Sequence, residues 1–177
     1  MNFTSRFFSR VSFSDVSKLA VLAAAALAGP ASAGGPTNVP FKASVATQET
    51  LRPDGVTCPV PPYLVGLTTG TGTASHLGAV TLVSSDCITP GLNTFTFSNG
   101  HLTFTAANGD ELRAAYNGSL QPFPGAPPFS LYSISGTVTF ASGTGRFTSA
   151  SGSGYLQGTE NIQTGQGQFN VTASLSY

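Results

Sequence analysis

Phe169-Asn170-Val171-Thr172-Ala173-Ser174-Leu175-Ser176-Tyr177 alternates apolar and polar residues without a break. A period of two puts every apolar side chain on one face of an extended chain, the pattern of a half-buried strand. The pattern recurs upstream, where Tyr132, Ile134, Gly136, Val138 and Phe140 alternate with Ser133, Ser135, Thr137 and Thr139. Phe41, Ala43 and Val45 begin a shorter run, and helical periodicity is almost absent after residue 34. The chain therefore reads as all-β.

Turn signals divide the middle of the chain. Asn99-Gly100 separates Thr94–Phe97 from Leu102–Thr105, and Asn108-Gly109 separates that second run from one spanning about 110–117. Asn-Gly supplies two residues tolerant of positive φ, so both pairs predict tight type I′ hairpins. Residues 63–84 predict two strands broken near Gly70–Ser75, and Gly152–Gly158 another. Asp54–Pro62 holds three prolines and Gln121–Pro128 four, so both are expected to be connections. The sum is one meandering antiparallel domain of about eight strands. A closed barrel removes the edges that a Thr-rich sheet would expose, and a two-sheet sandwich is the alternative.

Residues 1–33 have the features of an export leader. Arg6, Arg10 and Lys18 precede the apolar run Leu19–Ala28, and Ala31-Ser32-Ala33 is a small-x-small cleavage sequence. The expected mature chain, residues 34–177, is secreted or periplasmic. It has no later apolar run long enough to span a membrane. Its bases Lys42, Arg52, Arg113 and Arg146 face six acids, Glu49, Asp54, Asp86, Asp110, Glu111 and Glu160, a net charge of −2. That balance lacks the basic footprint of a nucleic-acid binder. Cys58 and Cys87 are the only cysteines, so an oxidising compartment predicts one disulfide between them. With two histidines and no CxxC or HxxxH spacing, no metal site is expected, and no motif calls for a cofactor.

Three segments in order carry a resemblance: Gly70-Thr71-Gly72-Thr73-Ala74-Ser75-His76-Leu77-Gly78, Ala107-Asn108-Gly109-Asp110-Glu111-Leu112, and Ser142-Gly143-Thr144-Gly145-Arg146-Phe147 followed by Ala150-Ser151-Gly152-Ser153-Gly154. Together they resemble secreted bacterial proteins related to the allene oxide cyclase and dirigent β-barrels, over roughly residues 63–177. The resemblance implies a calycin-like antiparallel barrel of about eight strands with a partly apolar interior. Related barrels form dimers or trimers, so it also makes a homo-oligomer an expectation, although no exposed apolar strand in the sequence selects one.

Chemistry-bearing residues are few. Asp110 and Glu111 fall on opposite faces of a strand, a poor arrangement for a shared acid–base pair. If Tyr116 shares a face with Asp110, Glu111 and Arg113 share the other, as a surface ion pair or with one of them turned inward. His76 is a proton donor or acceptor, or a strand-start histidine bonded locally. Arg146 either meets an anionic ligand or ties its own turn together. His76, Asp110, Glu111 and Tyr116 are thus the catalytic candidates and Arg146 the ligand-binding one.

Three functions follow as expectations. The first is binding of a small apolar or amphipathic ligand, for which the Phe and Tyr residues of the chain supply a lining. The second is a cofactor-independent cyclase or isomerase, which requires at least one of the four catalytic candidates to be buried beside a cavity. The third is a structural or surface-interaction protein of the envelope, with its barrel filled by its own side chains.

Overall fold

Alternation along the chain produces eight long strands: β1 (Val39–Pro53), β2 (Leu64–Ala74), β3 (Gly78–Pro90), β4 (Phe95–Ala106), β5 (Glu111–Pro122), β6 (Leu131–Gly143), β7 (Ser151–Asn161) and β8 (Gln166–Ser176). A computed structural model describes residues 35–177; the expected leader, residues 1–33, lies outside the described residues. Each strand pairs antiparallel with its sequence neighbours. Pairing of β1 with β8, from Val39 opposite Leu175 to Gln48 opposite Gln166, closes the sheet into a barrel. Closure leaves no unpaired edge, and the sandwich alternative is not adopted.

The inward faces follow the period-two pattern. Phe41, Ala43 and Val45 of β1, Val138 and Phe140 of β6, and Phe169, Val171 and Leu175 of β8 are all buried. In one half of the lumen the filling is aromatic. Phe41 packs edge-on against Phe140, ring centroids 5.0 Å apart, and lies 6.1 Å from Phe104. A short 3-10 turn, Gly145–Phe147, drops the fully buried Phe147 into that end, where its ring lies 4.7 Å from that of Tyr177. This end of the barrel is closed.

Two turns differ from expectation. Asn99-Gly100 lies inside β4 and makes a β-bulge: β4 takes three steps from Phe97 to Gly100 against two on β5, and three from Ser98 to His101 against two on β3. Only Asn99 of the pair has a positive φ, 52°. Asn-Gly suits a bulge as readily as a hairpin because either needs a residue that tolerates the left-handed region. Asn108-Gly109 does join β4 to β5, but only Gly109 has a positive φ, 87°. The loop is therefore longer than a type I′ turn, with Ala106 N–H donating to Asp110 O at 2.9 Å. The break between β2 and β3 falls at residues 75–77, and Gly70–Ala74 is strand.

Residues 54–63 fold over the outside of β2 and β3. Asp54 starts the loop by accepting from the backbone N–H groups of Thr57 and Val56, which hold its carboxyl below the usual range. Cys58 is joined to Cys87 of β3, and Val65, paired with Cys87 across β2 and β3, is buried. The expected disulfide is present.

Candidate functional site

The open half of the lumen combines apolar walls with three carboxyl groups. Extending the inward face of β1 beyond Val45 leads to Thr47 and Glu49; on β3, Val80, Leu82 and Ser84 lead to Asp86; on β7, Leu156 and Gly158 lead to Glu160. Glu49, Asp86 and Glu160 all line an inner chamber of about 50 Å³, with Phe97, Leu102, Leu120 and Ile134 among the apolar walls. Towards the rim lies an outer chamber of about 370 Å³, lined by Leu51, Ile88, Phe95, Leu120 and Ile162 and sharing Glu49 and Glu160 with the inner one. That volume lies within the range of small-molecule pockets.

Glycines make room for the acids. Gly66 of β2 stands opposite Asp86 in register, and a methyl group there would lie 2.7 Å from Asp86 Oδ1 and closer still to Glu49 Oε1. Two carboxyl groups therefore converge over one bare backbone position. Gly167 of β8, in register with both Thr47 and Glu160, opens the other side.

Asp86 is 6% exposed. Tyr116 of β5 donates its hydroxyl to Asp86 Oδ2 at 2.6 Å, whereas Oδ1 is buried with no hydrogen-bond partner. Buried polar atoms are overwhelmingly paired, so an orphan facing a cavity marks a place where something else can bond. Burial pushes the Asp86 carboxyl up to about 7, against the lowering effect of the Tyr116 bond. Glu49, raised by burial and by Glu160, is pushed up to about 9, and Glu160 is also raised, chiefly by burial. Each glutamate acts on the other's titration, so the two gain and lose protons as a pair. Tyr116 is shifted upward by burial and by Asp86, so it remains a donor.

Of the residues singled out in sequence, Tyr116 alone joins this site. Its neighbours Glu111 and Arg113 lie on the outer face of β5, where Arg113 Nε donates to Glu111 Oε2 at 3.1 Å. The others gather at the closed end. His76 has a positive φ of 68° and its Nε2 donates to Pro40 O at 3.0 Å. Arg146 donates to His76 O, lies 3.7 Å from Asp110 Oδ2 and rests over the Phe147 ring. These contacts hold the plug in place and face no chamber described above.

Among the described residues no group of three or more His, Cys, Asp or Glu side chains is arranged to hold a metal ion. Nor is any helix of them long and apolar enough to cross a membrane. No protein-family model, curated protein or solved structure matches the chain.

Proposed function

We propose that the barrel is a receptor for one small amphipathic molecule, held in the open half of the lumen with its polar end against the carboxyl groups and its apolar part toward the rim. The observation that carries this reading is the unpartnered Asp86 Oδ1 facing a chamber whose outer walls are apolar. Ligand pockets have this composition, mostly apolar with a few convergent polar groups. The leader expected from residues 1–33 and the Cys58–Cys87 bridge support an extracytoplasmic setting for such a receptor.

A second reading has one specific support. Tyr116 is buried beside the chamber and bonded to a carboxyl whose pKa falls near neutrality, the condition for acid–base assistance to a cyclisation or isomerisation. The reading of a purely structural protein expects a filled lumen, and the chambers of about 50 and 370 Å³ favour a binding role over it.

Titration with the neutral apolar fluorophore N-phenyl-1-naphthylamine tests the receptor reading. Saturable binding at one site, lost in Leu120→Trp and in Ile162→Trp with the thermal midpoint retained, supports it. Binding unaffected by both blocking residues overturns it. Recovery of an unchanged ligand separates a receptor from an isomerase.

A further inference from the structure

The pocket holds acids without bases. Glu49, Asp86 and Glu160 line it from β1, β3 and β7, and among the described residues no Lys, Arg or His lines either chamber. The basic side chains are engaged or turned outward elsewhere. Arg52 pairs with Asp54, Arg113 with Glu111 and Arg146 with Asp110, while His76 bonds Pro40 at the closed end. Lys42 and His101 lie on outward faces. Three acids in a lumen this apolar, with no counter-charge supplied by the chain, are held back from ionising by burial, and a cation brought in from outside would supply the missing counter-charge.

Resting on the receptor reading above, we infer that the ligand's polar end is a primary ammonium group, carried on an aliphatic or aryl-alkyl body. The unpartnered Asp86 Oδ1, in a residue more than nine-tenths buried, accepts no hydrogen bond from the chain and lines the chamber, where a donor on the ligand can meet it. Glu49 Oε1 crowds the same point over Gly66, and Glu160 completes the group. An ammonium offers three donors and no acceptor, which matches three carboxyl groups. Charge-assisted N–H···O bonds of this kind are shorter and stronger than neutral ones. Ile88, Phe95, Leu120 and Ile162 in the outer chamber take the apolar body.

The groups facing the ammonium are Glu49 on β1, Asp86 on β3, Tyr116 on β5 and Glu160 on β7, with Tyr132 of β6 in register beside Glu160. β2, β4 and β8 contribute Thr68, Phe97, Leu102 and Phe169, none of them charged. An entering cation favours the ionised form of each carboxyl, so the amine displaces protons and binds more tightly as pH rises. An alkyl amine itself stays charged to about pH 10, as lysine does.

Calorimetric titration with octylamine, 1-octanol and octanoate at pH 6.0 and 8.5 tests the assignment. Octylamine is expected to bind at least tenfold more tightly than octanol, to release protons on binding, and to gain affinity between the two pH values. Octanoate is expected to bind weakest. Asp86→Asn and, independently, Glu49→Gln should each remove most of the amine's advantage over octanol; two variants guard against one that fails to fold. Octanol or octanoate binding as tightly as the amine overturns the ammonium assignment and leaves the receptor reading standing. No saturable binding of any of the three, together with no fluorophore binding, overturns both.

Discussion

Tyr116 reaches from β5 past β4 to donate to Asp86 Oδ2 on β3, and the path exists because Gly100 stands opposite Tyr116 in register. A methyl group at Gly100 would lie 2.8 Å from the Tyr116 ring and 2.6 Å from its backbone oxygen. The bulge that places Gly100 also offsets β4 against β3 at Asp86. One inserted residue on a strand thus arranges the floor of the pocket.

Tyr116→Phe should leave both Asp86 oxygens without a protein partner. The loss is greatest when Asp86 is ionised, because the phenol–carboxylate bond is charge-assisted. Urea denaturation at pH 8.5 should show a loss of about 1–3 kcal/mol, with a smaller loss at pH 5. Equal losses at both pH values would place the bond outside the energetics of Asp86.

Stability should fall as pH rises. The folded-state carboxyl groups of Asp86 and Glu49 titrate near 7 and near 9, above their unfolded values near 4. Between those limits the folded chain holds more protons than the unfolded one, so each group removes up to about 1.4 kcal/mol per pH unit. For Asp86 the decline runs from about pH 4 to 7, and for Glu49 on to about 9. Asp54, held low, acts in the opposite direction and only in acid. Thermal midpoints measured at pH 5 and 8.5 should be higher at pH 5, and Asp86→Asn or Glu49→Gln should flatten the difference. A midpoint that rises across this range would contradict the protonated state of the acids.

Removing the Cys58–Cys87 bridge should cost about 2–4 kcal/mol, since it closes a loop of 29 residues in the unfolded chain. The double substitution to serine, followed by urea midpoint, measures it. The same variant should retain fluorophore binding, because the bridge lies on the outer side of β3.

At the closed end, Arg146→Ala and His76→Ala should change ligand affinity by less than twofold. Arg146 is half-exposed, which keeps its ion pair with Asp110 to at most about 1 kcal/mol. Gly145→Ala should cost more, because its φ is 55° and a methyl group there would collide with Asp110 Oδ1. Fluorophore titration beside thermal melting separates the two effects.

The barrel was legible wherever alternation was long. Phe169–Tyr177 and Tyr132–Phe140 keep strict parity, and both supply buried faces. The acids of the pocket lie on that same parity: Thr47, Glu49 and Ser84, Asp86 interrupt inward rows whose apolar residues resume at Leu51 and Ile88. A pattern read by hydrophobicity ends at Val45, although the strand runs on to Pro53. The β4 bulge left its own trace. Phe95 and Phe97 are odd-numbered, Leu102 and Phe104 even, and the inward parity changes across Asn99. Convergence of Glu49, Asp86 and Glu160 depends on strands far apart in sequence, and no local pattern carries it.

The seam between β1 and β8 has a kinetic consequence. Val45 meets Phe169, so the last wall of the lumen is assembled from segments separated by most of the chain. Contacts at such separation incur a large loop-closure cost and make folding slow. Until β8 arrives, β1 presents a free row of amide and carbonyl groups on one side, a template for any other extended chain. The aromatic packing at the closed end is likewise incomplete until then, since Tyr177, just past β8, supplies the ring against Phe147. The inner chamber, whose Glu49 and Glu160 flank this seam across β8, is therefore enclosed only once β8 has joined β1.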